Sequence, residues 1–182
     1  MQVVNQRLHE VADDDGGYFG TAVYATYDAA SGQLRCVCAG HPAPLLFRTS
    51  GAIEHVGCPN PPLGMAPDDR YEEITVEVGP GDALLLFTDG ATEILDAAKR
   101  SLGAEGLKHL ACTQGGRVQI PEFSLATLER HLLQYSNQIR LPNDLTLIKL
   151  RRPVGQQTQP NRCYPSWSEI TAANSRPNCG YS

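Results

Sequence analysis

The sequence predicts an α+β fold, a two-layer antiparallel β-sandwich flanked by helices. Three observations point there. Short apolar or alternating segments, separated by turns containing Gly, Pro and Asp, fill residues 19–87. Helical periodicity is confined to the N-terminal dozen residues and to stretches beyond residue 90. One further strand-like run, from Leu145 to Leu150, follows those helices. Strands first, helices next and a strand last suits a layered α+β domain better than an alternating α/β one.

Each element has its own signal. Val4, Leu8 and Val11 recur at helical spacing, and Asp13-Asp14-Asp15-Gly16-Gly17 ends that helix. Phe19 to Tyr27 and Gln33 to Cys38 read as a hairpin across Asp28-Ala29-Ala30-Ser31-Gly32. Leu45 to Arg48 and Ile53 to Val56 read as a second hairpin across Thr49-Ser50-Gly51. A Pro-rich loop runs from Cys58 to Pro67. In the segment from Tyr71 to Val78, Ile74, Val76 and Val78 alternate with Thr75 and Glu77, as in a half-exposed strand. Gly79-Pro80-Gly81-Asp82 is a turn, and Ala83 to Phe87 is apolar on both faces, as a central strand is.

A helix is expected to begin over Ala91 to Lys99, and a short one over Leu102 to Leu110. A third spans Ser124 to Tyr135, with Ser124 as N-cap, Phe123 stapled onto Leu128, and Leu125, Leu128 and Leu132 facing the core. The domain therefore covers residues 1–152. Residues 153–182 are rich in Pro, Gly, Ser, Asn and Gln, with Val154 and Ile170 the only branched aliphatics, and read as a flexible low-complexity tail.

Composition narrows the class. The chain has 182 residues, 41% hydrophobic and 19% charged, enough for a real core. Its 20 acidic and 15 basic residues leave a net charge of -5. The tail holds one acidic and two basic residues, so residues 1–152 carry 19 against 13, a net of -6. Such a surface does not suit phosphate backbones, and no nucleic-acid partner is expected. The apolar runs Pro44 to Phe47 and Ala83 to Phe87 fall far short of the ~20 residues a membrane span needs. The N-terminus has no signal-peptide core, which points to a cytoplasmic address without membrane attachment. Six cysteines lack framework spacing; Cys36 and Cys38 share one face of a strand and read as packing residues.

Three places hold candidate chemistry. In Phe87-Thr88-Asp89-Gly90-Ala91-Thr92-Glu93 a buried strand runs directly into a carboxylate, and glycine allows a sharp turn after it. Asp89 there is either a ligand for a hard cation such as Mg²⁺ or Mn²⁺, or a cap for the turn behind it. In Pro142-Asn143-Asp144-Leu145 a polar pair opens the closing strand, reaching the same rim or forming an ordinary turn. In Cys38-Ala39-Gly40-His41-Pro42, His41 is a ligand, a proton shuttle or a loop-fixing hydrogen-bond donor. No Ser-His-Asp order, phosphate-binding glycine loop or dinucleotide signature is present.

The motifs resemble a known family when taken in order. They are Phe19-Gly20-Thr21-Ala22, Ala39-Gly40-His41-Pro42-Ala43-Pro44, Pro62-Leu63-Gly64, Gly81-Asp82, Phe87-Thr88-Asp89-Gly90-Ala91-Thr92-Glu93, Leu102-Gly103 and Asn143-Asp144-Leu145-Thr146-Leu147. The chain from about residue 3 to 152 resembles the PPM (PP2C-type) phosphatases, in the bacterial branch typified by SpoIIE and RsbU. That resemblance implies a sandwich of two antiparallel sheets with an edge cleft holding two Mn²⁺ or Mg²⁺ ions on aspartates. It implies hydrolysis of phosphoserine or phosphothreonine in a regulatory protein, of the anti-sigma-factor antagonist type, by in-line attack of metal-bound water. Asp89 corresponds to the metal-binding aspartate of the family's Thr-Asp-Gly motif, and Gly90, Glu93 and His41 fall among site-lining positions.

Two departures from the family pattern stand out. The closing motif usually reads Asp-Asp-x-Thr with its first aspartate as ligand, whereas this chain has Asn143 there and the acid at Asp144. An asparagine offers a carbonyl oxygen without charge, and a one-residue shift along a strand reverses side-chain direction. The family's upstream Asp-x-x-Gly segment would precede Met1, so the expected sandwich lacks its N-terminal strands. Asp89 and Asp144 then face the four positive charges of two ions. Upstream sensory domains are usual in this branch. The alternative expectation is a non-catalytic phosphatase-like binding module or a truncated gene product.

Overall fold

The computed structural model describes residues 1–15, 18–114, 117–118, 123–137, 144–154 and 170–175. The chain begins with α1 (Gln2–Asp15), β1 (Ala22–Asp28), β2 (Gln33–Ala39), β3 (Leu45–Phe47), β4 (Ile53–His55), β5 (Ile74–Glu77) and β6 (Ala83–Phe87). A 3-10 turn, Asp89–Ala91, precedes α2 (Gly103–Cys112), the short strands β7 (Thr113–Gln114) and β8 (Arg117–Val118), and α3 (Leu125–Ser136). The chain closes with β9 (Leu145–Arg151) and β10 (Ile170–Ser175). Two compact units result: Met1–Pro44 with His55–Val78, and Leu45–Glu54 with the described residues of 79–154 and 170–175.

The first unit is built on a three-stranded antiparallel sheet in the order β1-β2-β5. Asp28 forms the hairpin turn, its carboxylate accepting from the Ala30 N–H at 2.9 Å and the Ser31 hydroxyl at 2.7 Å. In β2 the alternation expected of a half-buried strand gives way after Cys36 to burial on both faces, with Cys36, Val37, Cys38 and Ala39 all buried. Helix α1 is held by polar bonds. The fully buried Asn5 donates to the Ala66 carbonyl at 2.7 Å and accepts from the Gly64 N–H at 2.7 Å and the Tyr71 hydroxyl at 2.9 Å. Gly64 has φ +89°, and a Cβ there would lie 2.8 Å from the Tyr18 carbonyl oxygen, so Pro62-Leu63-Gly64 needs its glycine.

The second unit contains a five-stranded sheet in the order β10-β9-β6-β3-β4. The expected central strand is central: β6 pairs with β3 through Leu85↔Leu45 and with β9 through Leu85↔Lys149. One continuous core joins Leu45, Phe47, Leu85, Phe87, Leu145 and Leu147 of the sheet to Leu107 of α2 and Leu128 and Leu132 of α3. Ser124 caps α3 as expected, accepting from the Thr127 N–H, and Phe123 and Leu128 share the core. The Gly81-Asp82 turn is a clasp. Buried Asp82 accepts from the Thr49 and Gly79 N–H groups, both at 2.9 Å, and pairs with Arg48 at 3.1 Å.

The structure corrects two elements. No α-helix forms over residues 91–99; beyond the 3-10 turn the chain loops, and Lys99 takes φ 62°. The Asp96 carboxylate holds that loop by accepting from the N–H groups of Ala98 at 2.8 Å and Arg100 at 2.9 Å, a local alternative to the helical ladder. Within the segment expected as tail, Ile170–Ser175 forms β10, paired antiparallel with β9 from Ile170↔Leu150 to Ser175↔Leu145. The remainder of that segment from residue 155 lies outside the described residues.

Candidate functional site

The Thr-Asp-Gly segment sits where β6 leaves the sheet. Register pairs Phe87 with Leu147, and beyond that pair the Thr88 N–H still donates to the Thr146 carbonyl at 3.1 Å. Thr88 also uses its hydroxyl twice, accepting from the Thr146 N–H at 3.0 Å and donating to the Asp144 carbonyl at 3.2 Å. These bonds lock the end of β6 to the beginning of β9. The Asp89 turn and Asp144 are thereby fixed at the same end of neighbouring strands, and both residues are exposed.

Behind Asp89 the backbone tightens into the 3-10 turn. Its carbonyl accepts from the N–H groups of Thr92 at 2.8 Å and Glu93 at 2.9 Å, while Gly90 and Ala91 are buried. One carboxylate oxygen of Asp89 accepts from the Gly90 N–H at 2.9 Å. That contact is a local cap, and it engages only one oxygen. Glu93 is exposed just beyond the turn. Asp89, Gly90, Glu93 and Asp144 all belong to the second unit, while Asn143 lies outside the described residues.

His41 belongs to the first unit, half-buried in the turn after β2, with Nδ1 3.1 Å from the Pro42 carbonyl oxygen. Of the three roles open to it, this contact matches the loop-fixing one. Sequence reasoning missed Thr88, whose hydroxyl ties the two rim segments together. Its signal was present: a hydroxyl residue between a buried strand and an acidic turn is placed to bond a neighbouring strand end.

A divalent ion of the kind the resemblance implies calls for oxygen donors, and Asp89 and Asp144 are of the right type. Their number is the difficulty. Among the described residues, no group of three or more His, Cys, Asp or Glu side chains is arranged to hold a metal. The donor chemistry fits one hard cation, but the described donors fall short of a two-ion centre.

The profile of the family described as Stage II sporulation protein E (SpoIIE) matches residues 1–153. The chain belongs to the SpoIIE family. It is 30% identical over 95 residues to the phosphoserine phosphatase RsbP of Bacillus subtilis, a match covering 51% of this chain and 24% of RsbP. Its fold is similar to the RsbU and RsbW domains of Rv1364c from Mycobacterium tuberculosis, with TM-score 0.62 and 27% identity over 84% of this chain and 42% of that one. It also resembles the Mn-presoaked phosphatase domain of SpoIIE from Bacillus subtilis, with TM-score 0.55 over 75% of this chain and 58% of that one. At 14% identity, that second likeness speaks for the fold alone. These findings establish the PP2C-type α+β class and the serine/threonine phosphatase family read from the motifs. The chain spans 21% to 24% of the length of the curated relatives it matches. Among the described residues, no helix is long and apolar enough to cross a membrane.

Proposed function

We propose that this chain carries the Thr-Asp-Gly half of a metal-dependent phosphatase site that removes phosphate from phosphoserine or phosphothreonine on a cytoplasmic regulatory protein. Support comes from one observation above all: Thr88 fastens the backbone before Asp89 to the strand opening at Asp144, so two acidic residues lie at neighbouring strand ends. In this reading Asp89 and Asp144 hold Mn²⁺ or Mg²⁺, with Asn143 adding a neutral oxygen. When bound, such ions activate water and offset charge on the phosphoryl oxygens. Thr88 and the buried Gly90 keep the rim from moving as charge accumulates. The RsbP relative, named a phosphoserine phosphatase, supports the substrate class, and an anti-sigma-factor antagonist is the protein type proposed.

The test is Mn²⁺ titration by calorimetry together with phosphate release from a phosphoserine protein. We expect weak Mn²⁺ binding that Asp89→Asn weakens at least ~10-fold, in line with the loss of one charged ligand. Binding and turnover unaffected by Asp89→Asn would overturn the assignment of the site. A second reading, a non-catalytic phosphatase-like binding module, is favoured by the shortfall of donors among the described residues. Tight binding of a phosphorylated partner without Mn²⁺-dependent turnover would select it.

A further inference from the structure

We propose that Cys36 and Cys38 form a reversible disulfide within β2 when hydrogen peroxide reaches them, and that this bridge reorders the Gly40-His41 turn. The two sulfurs lie on one face of the strand, 3.9 Å apart and in hydrogen-bond contact. Both side chains are buried, at 1% and 2% exposure, and nothing in the phosphatase chemistry uses them. Their hydrogen bond, aided by burial, holds the Cys36 thiol above the ordinary range. The same bond holds Cys38 below it against the effect of burial.

The cover over the pair is thin. Cys38 donates to the Val56 carbonyl at 3.7 Å, and a Cβ at Gly57 would lie 2.7 Å from its sulfur, so the glycine backbone rests directly on the thiol. Residues 56–62 have no regular secondary structure, and Gly57 and Cys58 are half-buried. A brief opening of that coil admits a small oxidant without unfolding the sheet. The Cys38 thiolate then attacks one peroxide oxygen; the O–O bond breaks and the other oxygen leaves as water after taking a proton. The Cys36 sulfur attacks the resulting sulfenic sulfur, the S–O bond breaks, and a second water leaves with the Cys36 proton. Two electrons pass from the sulfurs to the peroxide.

The bridge has a mechanical consequence. Alternate Cα atoms of an extended strand lie about 6.6 Å apart, twice the rise per residue. That is near the upper limit of about 6.8 Å for a disulfide, so closure draws β2 in around Val37. A bridge that bends its strand is readily reduced again. Movement reaches the following turn through short contacts. Asn60 Nδ2 donates to the Cys38 carbonyl at 3.0 Å, and the Gly40 N–H donates to the Asn60 carbonyl at 3.0 Å. Gly40, at φ +60°, packs so close to Pro62 that a Cβ there would lie 2.8 Å from the Pro62 Cα.

Trypsin makes the test direct, because Arg35 and Arg48 bracket both cysteines in one fragment while Cys58 falls in the next, ending at Arg70. The full chain is exposed to hydrogen peroxide, alkylated, denatured, digested and weighed, with and without prior dithiothreitol. The expected result is a 36–48 fragment lighter by two hydrogens and unalkylated, restored by dithiothreitol, and absent from Cys36→Ser and Cys38→Ser. Hydrogen exchange at the Gly40 amide should accelerate in the oxidised chain. An alkylated, unshifted fragment, a sulfinic acid on it, or a cross-link to the 49–70 fragment would overturn the bridge. Unchanged exchange at Gly40 in bridged protein would overturn its coupling to the turn. None of these readouts depends on phosphatase activity.

Discussion

The two units are held by different forces. In the second, sixteen of the described residues, buried and drawn from β3, β6, β9, the loop after β6, α2, α3 and its approach, make one apolar cluster. In the first, buried apolar residues are fewer among those described, and the helix is tied down by Asn5 instead. Exposure runs the same way. Val3, Val4, Val11, Tyr18, Phe19, Tyr24 and Met65 of the first unit are exposed, against Leu95 and Val154 of the second. A region stabilised by apolar area loses stability gradually as atoms are removed, whereas one fixed by a few directional bonds depends on single groups. The unit carrying Asp89 belongs to the first kind, and the unit carrying His41 to the second kind.

The largest expected effect tests the apolar unit. Phe47 is fully buried and packs its ring 4.7 Å from that of Phe123. Phe47→Ala should cost about 4 kcal/mol, read as the shift in urea unfolding. A loss below about 1 kcal/mol would mean that this core is not continuous. The next largest tests the other unit. Asn5→Ala removes the bonds to the Ala66 carbonyl and from the Tyr71 hydroxyl, which keeps the Pro62 carbonyl at 3.3 Å, and strands the Gly64 N–H, at a cost of about 2 kcal/mol. Its signature is location: exchange should accelerate at Gly64 while amides of β6 and β9 keep their protection. Uniform acceleration across both sheets would contradict the contrast between the units.

Periodicity carried most of the fold. The apolar run Ala83 to Phe87 announced a central strand because burial on both faces leaves no room for polar alternation. Ser124 announced the start of α3 because an N-cap favours a short side chain whose oxygen can accept from the first turn's free N–H groups. Polar tethers were less legible. Nothing in the sequence around Asn5 distinguishes a buried amide that organises a distant loop from an exposed one on a helix, because its partners are some sixty residues away. The strand Ile170–Ser175 was hidden for a related reason: its low apolar content suggests disorder, whereas its pairing comes from the edge of β9. At the candidate site, motif order singled out Asp89 and Asp144 as candidate ligands, but only the structure shows the Thr88 hydroxyl bonding the backbone where β9 opens.

The smallest expected effect concerns a polar-held segment inside the apolar unit, the loop that replaces the helix expected over residues 91–99. The backbone N–H of Arg100 is the main influence holding the Asp96 carboxyl below its ordinary range, assisted by the Arg100 guanidinium and the Ala98 N–H against a smaller cost of burial. A carboxyl depressed in the folded state binds a proton more readily once unfolded. Its contribution is therefore complete above the ordinary value of about 4 and fades as pH falls through the lower folded value. Asp96→Asn cannot titrate, so the wild-type advantage over the variant should shrink as the medium is acidified below about pH 4. Amide exchange at Ala98 and Arg100 across that range is the sensitive measurement. If both amides exchange alike in the two proteins at neutral pH, the carboxylate does not hold the loop, and the failure of the expected helix needs another cause.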